Sequence, residues 1–427
     1  MNSERKKDAS NFGYLRLLIV LLMGAIIPTI SIASSWKWIA YGDTRSNDHY
    51  HREVLKSIMK NSRDYKFMIN VGDVVEDGTV KAQWETWQKA CDDILGGTEQ
   101  DQIPPKYMAA PGNHDNTEKP NGLAHWNTYL SGQVHLYGNQ GKFFVFDYQD
   151  ARFIIMDSDK SSITGPQYTM LIYALKNNSK KWLFTVWHHP IFDFGEKKYE
   201  DFIHDKWGIP LYLNGCDIMF AGHAHYYVRS KKLELNGNIN PPLDSLNGTV
   251  QVVTGNGGAS MDIPIPEHDG NGYMVEAYTS KTTQFGYTEL TVTEDTLYLK
   301  HFLRDGTVFD EESYTPNQKP EISFVNEFSF EEIAPQTFNL LQNYPNPFNP
   351  STMIPFNLPV ASHVMIDIYD ITGQLVAAIL NEHREAGMHQ VGWECFDSCG
   401  NQLPAGVYLY KMRAGNYVKT NKMLIVK

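Results

Sequence analysis

Trp36-Lys37-Trp38-Ile39-Ala40-Tyr41-Gly42-Asp43-Thr44-Arg45 runs from an apolar, aromatic-rich stretch straight into a glycine and a carboxylate. The first six residues read as a strand. After them, residues 51–60 carry Val54, Leu55, Ile58 and Met59 at helical spacing, and a second apolar run, Lys66–Val71, ends in Gly72-Asp73. Strand, helix and strand in this order predict a parallel pair joined by a right-handed crossover. The same arrangement recurs downstream. Lys106–Ala110 leads to Pro111-Gly112-Asn113-His114-Asp115, Trp182–Trp187 to His188-His189-Pro190, and Asp217–Ala221 to Gly222-His223-Ala224-His225. Five strand-like runs ending in residues of one chemical type predict a sheet whose carboxyl edge carries a single site.

Asp43, Asp73, Asn113, His188, His223 and His225 offer hard oxygens mixed with imidazoles. That donor set suits Mn, Fe or Zn better than Ca or a thiolate-loving metal. Singly the residues say little, since an Asp after Gly is a common turn former. Of the adjacent His188 and His189, one faces a given side of an extended chain end, whereas His223 and His225, two apart, can face the same side. As a set they read as a metal-dependent hydrolase.

Gly72-Asp73, Gly112-Asn113-His114-Asp115, the lone His188 and Gly222-His223-Ala224-His225, in that order, resemble the calcineurin-like metallophosphoesterases, which include the purple acid phosphatases. The resemblance covers about 36–304. It implies a four-layer β-sandwich flanked by helices and two metal ions, divalent or trivalent (Fe, Mn or Zn). By the same resemblance Asp73 bridges both ions, Asn113, His188 and His223 complete one, and Asp43 and His225 bind the other. His114 then stands near the leaving group of a phosphate ester as general acid or transition-state stabiliser, oriented by Asp115, and His189 either supports the ligands from behind or is structural. Thr254-Gly255-Asn256-Gly257-Gly258 matches a Gly-rich turn found downstream of G-H-x-H in that family.

Two positions depart from the pattern. Where the first motif commonly has His, two residues after the Asp, this chain has Arg45, and where purple acid phosphatases place a Tyr, it has Glu76. A guanidinium cannot coordinate metal, so the first ion loses a ligand unless Glu76 replaces it. Arg45 is suited to a bidentate contact with a phosphoryl group, and equally to pairing with Glu76. The resemblance implies a phosphomonoesterase or phosphodiesterase. The alternative is a catalytically weakened surface protein on the same fold. Loss of the first-motif His favours that alternative; retention of six ligand types and of His114-Asp115 counts against it.

A chain of 427 residues, 42% hydrophobic and 13% aromatic, is long enough for two or three domains with real cores. Its net charge of −12 disfavours nucleic-acid binding, which phosphate-backbone attraction dominates. Residues 1–33 pair a basic start with the apolar run Leu17–Ile27 and end Ser31-Ile32-Ala33, the layout of a cleaved secretory signal. The stretch is too short to leave a stable transmembrane helix in the mature chain. Cys91 and Cys216 read as buried thiols, and Cys395 and Cys399 as a candidate small disulfide.

Residues 305–337, acidic with Pro316 and Pro320, read as a linker. Residues 338–427 begin with Asn343-Tyr344-Pro345-Asn346-Pro347-Phe348-Asn349-Pro350, a run that excludes helix, and continue as six short alternating segments. A small antiparallel sandwich is expected. With Ile368-Tyr369-Asp370-Ile371-Thr372-Gly373 and Ala405-Gly406-Val407-Tyr408, this part resembles the sorting domains of type IX secretion, related to the immunoglobulin-like module of hook-capping proteins. The resemblance implies the type IX secretion machinery as partner, and a secreted or cell-surface location reached through Sec and then the outer membrane.

Overall fold

The computed structural model describes residues 35–45, 48–102, 104–133, 137–139, 141–158, 166–194, 203–235, 241–265, 275–279, 283–318, 337–343, 346, 348, 351–398 and 400–426. The expected signal segment, most of the linker and Cys399 lie outside the described residues.

Three parallel strands, β1 (Trp36–Tyr41), β2 (Phe67–Asn70) and β3 (Tyr107–Ala109), are joined by helices α1 (Asp48–Asn61) and α2 (Lys81–Leu95), followed by α3 (Pro120–Tyr129). A second sheet contains β4 (Tyr137–Asn139), β5 (Phe143–Tyr148), β6 (Ala151–Ile155), β7 (Trp182–Val186), β8 (Ile218–Ala221), β9 (Tyr227–Ser230), β10 (Val250–Thr254) and β11 (Val275–Tyr278). Its strand order is β11-β9-β10-β8-β7-β6-β5-β4, with α4 (Pro166–Lys176) and α5 (Ile209–Leu213) between strands. The chain then returns to the first sheet with β12 (Gly286–Val292), β13 (Leu297–Leu303) and β14 (Val308–Tyr314), giving the order β14-β13-β12-β1-β2-β3.

The inner faces of the two sheets share one aromatic core. Trp38 meets Phe153 and Phe220 edge-on at ring distances of 5.1 and 5.0 Å, and Phe67, Phe146 and Phe184 fill the same layer. Such edge contacts add roughly 0.5–1.5 kcal/mol each beyond the area they bury. On the outer face of the first sheet, α1 sets down Val54, Leu55 and Ile58, and α2 sets down Trp84, Trp87 and Cys91. On the outer face of the second, α4 places Met170, Leu171 and Leu175 beside Trp207 and Leu211. The result is the expected four-layer α/β/β/α sandwich. The five site-bearing strands, however, divide between two sheets, with β1, β2 and β3 in one and β7 and β8 in the other.

The linker expected from residue 305 is corrected by β14, which pairs along β13. Its charges conceal the strand in the sequence, because one of them is not solvated. Asp310 takes a bidentate contact from Arg229 of β9 (Nε to Oδ2 2.6 Å, Nη2 to Oδ1 2.9 Å) and a hydrogen bond from Tyr227. This pairing ties the two sheets together at one edge. The chain continues against the second sheet as far as Asn317, whose side-chain amide donates to the carbonyls of Cys216 and Gly248.

The carboxyl-terminal part forms two sheets of its own, β15-β16-β19 and β18-β17-β20-β21. The strands are β15 (Asn339–Leu340), β16 (Ser351–Leu358), β17 (Ser362–Asp370), β18 (Leu375–Arg384), β19 (Gly387–Glu394), β20 (Gly406–Ala414) and β21 (Tyr417–Ile425). The six expected strands are present, with the two-residue β15 in addition. Alternation decides which side chains enter the core, as with Val364, Ile366 and Ile368 of β17 opposite Ala414, Met412 and Tyr410 of β20. Asn343 is buried: Tyr410 Oη accepts from its backbone N–H at 2.8 Å, and its amide donates to Thr352 at 2.9 Å. Cys91 and Cys216 are buried thiols as expected; Cys395 is also buried, and its candidate disulfide partner, Cys399, lies outside the described residues.

Two buried imidazoles stay neutral in the sandwich. His301 of β13 accepts at Nε2 from Asn256 and meets Thr288 at Nδ1, which leaves no acceptor for a second proton. Burial pushes it down to about 3 from 6.5, and burial pushes His51 of α1 down to about 4. The unfolded chain therefore takes up protons below pH 6.5 that the folded chain refuses. Stability is full above that pH and falls by about 1.4 kcal/mol per pH unit per histidine on the way down. Denaturant titration at pH 7 and pH 4.5 should show this loss, and a His301→Phe variant, though less stable, should show a shallower dependence.

Candidate metal centre

The carboxyl ends of both sheets meet at one point. Beyond β1 the chain turns at Asp43, beyond β2 at Asp73, beyond β3 at Asn113, beyond β7 at His188, and beyond β8 at His223 and His225. The Gly-rich turn after β10 closes over the first of these: Gly42 N–H donates to Thr254 O, Gly257 N–H to Gly42 O and Ala259 N–H to Asp43 O. Space is short here. A Cβ on Gly112 would lie 2.3 Å from Asp73 Oδ1, and one on Gly222 2.5 Å from Asp43 Oδ2. Asp43, Asp73 and His223 adopt left-handed backbone conformations, with φ of 53°, 55° and 66°. Non-glycine residues held in that region cost energy, and they concentrate at functional sites.

All six expected ligands are brought together, in two groups around Asp73. In the first, Asn113 Oδ1 lies 3.2 Å from His188 Nε2 and 3.1 Å from His223 Nδ1, and His188 Nε2 lies 3.4 Å from Asp73 Oδ1. His188 is fully buried, and its Nδ1 lies 3.0 Å from Val71 O. A proton held there by the carbonyl turns the Nε2 lone pair toward the group. These donor atoms lie in one cluster, and the carboxylates of Asp43 and Asp73 form with His188 a trio close enough to hold an ion. Without an ion, Asp73 and Asp43 overcome the effect of burial and raise His188 to about 9, while Asp73 is held below the usual carboxylate range.

The second group is Asp43, Asp73 and His225. His225 Nδ1 lies 2.7 Å from Ser260 O, and its Nε2 lies 3.4 Å from Asp43 Oδ1. Asp43 Oδ1 and Asp73 Oδ2 are buried without a hydrogen bond, which is costly for carboxylate oxygens unless a cation satisfies them. Arg45 lies in this group. Its Nε is 3.0 Å from Asp73 Oδ2, its Nη1 2.8 Å from Glu76 Oε2, and its Nη2 donates to His225 Nε2 at 3.3 Å. The pairing of Arg45 with Glu76 considered from the sequence is therefore present, and the same guanidinium also touches two expected metal ligands. A cavity of about 350 Å³ opens beside it, walled by Thr44, Asp48, His51, Glu76 and Trp87.

One expected role is corrected. Asp115 does not touch the His114 ring. It is buried and accepts four backbone N–H groups, from Gly112 and Asp73 on Oδ2 and from Val74 and Val75 on Oδ1. Burial and the charge of Asp73 push its carboxyl up to about 8, but four donors oppose that by favouring the carboxylate. Asp115 shapes the Gly72–Val75 turn, whereas His114 is oriented by Glu76, whose backbone carbonyl lies 2.8 Å from Nδ1 and whose carboxylate lies 3.5 Å from it. The exchange follows from chain direction: Asp115 comes after the turn at Asn113 and points back under β2.

His189, expected either to support the ligands or to be structural, lies near the first group. Its ring is 4.4 Å from that of His223, its Nδ1 is 2.9 Å from Ser158 Oγ, and with His188 and His223 it makes a trio close enough to hold an ion. The doubled histidine was the available signal. Trp126 and Trp207 are fully buried, and Tyr50 is stacked on Phe285.

Residues 38–227 match the family model of calcineurin-like phosphoesterases, and residues 248–311 that of the iron/zinc purple acid phosphatase-like protein C. Residues 352–417 match the FlgD Ig-like domain. The likeness to calcineurin-like phosphoesterases thus covers residues 38–227, that to the purple acid phosphatase-like part 248–311, and that to the Ig-like domain 352–417. It is 23% identical over 210 residues to purple acid phosphatase 23 of Arabidopsis thaliana, covering 47% of this chain and 43% of the relative. To the probable inactive purple acid phosphatase 24 of the same plant it is 22% identical over 297 residues, 62% of this chain and 46% of the relative. Its fold is shared with purple acid phosphatase PPD1 of yellow lupin, at TM-score 0.52 and 19% identity over 67% of this chain and 55% of the other. The chain spans less than half the length of the two curated relatives.

The Asp115 assignment predicts a stability defect. Asp115→Ala leaves four buried N–H groups without an acceptor, and should destabilise the metal-free protein by about 2–4 kcal/mol in denaturant titration. A variant as stable as the parent, altered only in turnover, would return Asp115 to orienting His114.

Proposed function

We propose that the protein hydrolyses a phosphomonoester or phosphodiester, and that it does so outside the inner membrane. The observation that carries this reading is the convergence of Asp73 Oδ1, Asn113 Oδ1, His188 Nε2 and His223 Nδ1 beside an exposed-side imidazole, His114. A metal ion held by those four residues would activate a water and neutralise phosphoryl oxygens. The rest belongs to the chain. His114, with Nδ1 fixed by the Glu76 carbonyl and the Glu76 carboxylate 3.5 Å away, offers Nε2 to the departing alkoxide as general acid. Arg45 supplies a permanent positive charge at the edge of the site for the phosphoryl group. No helix among the described residues is long and apolar enough to cross a membrane.

Export rests on two features: the basic-then-apolar residues 1–33 and the Ig-like carboxyl-terminal domain, which has its own core and matches the sorting-domain motifs. We assign that domain to recognition by type IX secretion machinery and give it no part in catalysis. A second reading, a surface protein with weakened catalysis, is favoured by Arg45 among the ligands, and the same assays decide it.

Asn113→Ala and His223→Ala should each lose the bound ion together with turnover of an aryl phosphate. His114→Ala should keep the ion while turnover falls about 10²- to 10⁴-fold. Loss of metal in the His114 variant, or metal binding without turnover in the parent, would overturn the catalytic assignment.

Deleting residues 338–427 should leave aryl phosphate turnover of the purified protein about unchanged, and in the native host should retain the enzyme in the periplasm. Normal secretion of the truncated chain, measured by fractionation and immunoblot, would refute the sorting role.

A further inference from the structure

We infer that the guanidinium of Arg45 takes the place of one of the two metal ions, so that the centre holds a single ion, bound by Asp73, Asn113, His188 and His223. The inference rests on the metallophosphoesterase reading and departs from its two-ion form. Three of the expected ligands of the other ion are Asp43, Asp73 and His225. Arg45 contacts Asp73 Oδ2 at 3.0 Å through Nε and His225 Nε2 at 3.3 Å through Nη2, the ligand atoms that an ion would need. Its side chain is only 14% exposed, and Nη1 is anchored by Glu76 at 2.8 Å, so the planar group is held inside the cluster and not swung out over it. Asp43 adds its negative charge to the field around the guanidinium.

Charge and coordination chemistry both point the same way. The group collects the carboxylates of Asp43, Asp73 and Glu76, and it requires a cation in any state of the protein. Arginine is the one side chain that stays charged at every accessible pH. It cannot share the space with a divalent ion, because it has no lone pair to offer as a ligand and its positive charge would repel the ion at short range. The lost first-motif histidine is thus compensated from within the chain. One divalent ion and one guanidinium then flank the phosphoryl position, with less total charge than two divalent ions would carry. Arg45, with 14% of its side chain exposed, can contact a phosphoryl oxygen.

Metal counting tests this directly. The purified full chain is loaded with excess Mn2+, desalted, and measured by elemental analysis and by electron paramagnetic resonance. One Mn per chain with an uncoupled six-line spectrum is expected. Arg45→His should raise the count to two and produce a spin-coupled spectrum. Two ions per chain with a coupled spectrum in the parent would overturn the inference while leaving the phosphoesterase reading intact. Zero ions in both proteins would overturn that reading and the inference with it. One ion in both, with Arg45→His folded by circular dichroism, would show that the guanidinium is not what excludes the second ion, and would overturn its assigned role. If Arg45→His does not fold, the count and spectrum of the parent decide alone.

Discussion

The two sheets approach each other at their carboxyl ends so closely that backbone meets backbone, and the site is a consequence of that approach. Gly42 and Thr254 exchange a hydrogen bond from one sheet to the other, and Gly257 returns one to Gly42. A Cβ on Gly255 would lie 2.3 Å from Ala224 O and 2.6 Å from Asp43 Oδ2. The aromatic layer around Trp38 sets the spacing of the sheets, and the glycines allow the strand ends to close the remaining gap. Side chains that leave these ends have little choice of direction. The left-handed conformations of Asp43, Asp73 and His223 are maintained because the surrounding hydrogen bonds over-determine them, among them His223 N–H to Asp43 Oδ2 and His114 N–H to Asp73 Oδ1.

That approach also gathers like charge. Asp43, Asp73 and Asp115 are all buried within a few residues of one another in space, and burying three carboxylates without partners would be prohibitive. Each is compensated differently. Asp115 is satisfied by peptide N–H groups alone, Asp73 faces His188 on one oxygen and Arg45 on the other, and Asp43 holds the His223 N–H on one oxygen and lies beside His225 on the other. The negative charge of Asp73 and Asp43 outweighs the effect of burial and raises His188 to about 9. Positive charge is a structural requirement of the centre before it is a catalytic one.

Much of this was legible in the sequence because it is written in local units. Each apolar run followed by Gly and a polar residue is a strand and its turn, and the helices between β1, β2 and β3 carry plain 3.6-residue patterns. The six candidate ligands could be named because their residue types and order are the signal. What the sequence hid were relations between distant segments. The strand β14 is acidic and looks like a linker because its partner, Arg229, lies 81 residues away from Asp310. The oriented neighbour of His114 was misassigned to Asp115, next to it in the chain, when Glu76, 38 residues upstream, makes the contact. Adjacent residues on a turn point apart, and proximity in sequence is poor evidence for side-chain contact there.

Arg45 joins these themes. In the chain it is one substitution in a short motif, and by residue type alone it could serve substrate, pair with an acid or mark decay. Its meaning comes from position: Asp73 and Glu76 reach it from the turn after β2, and His225 from the turn after β8. A decayed site has no reason to keep Asp43 and His225 aligned 3.4 Å apart around a foreign side chain. Their retention is explained if the cluster still has to hold a cation, and arginine provides one that neither dissociates nor depends on pH.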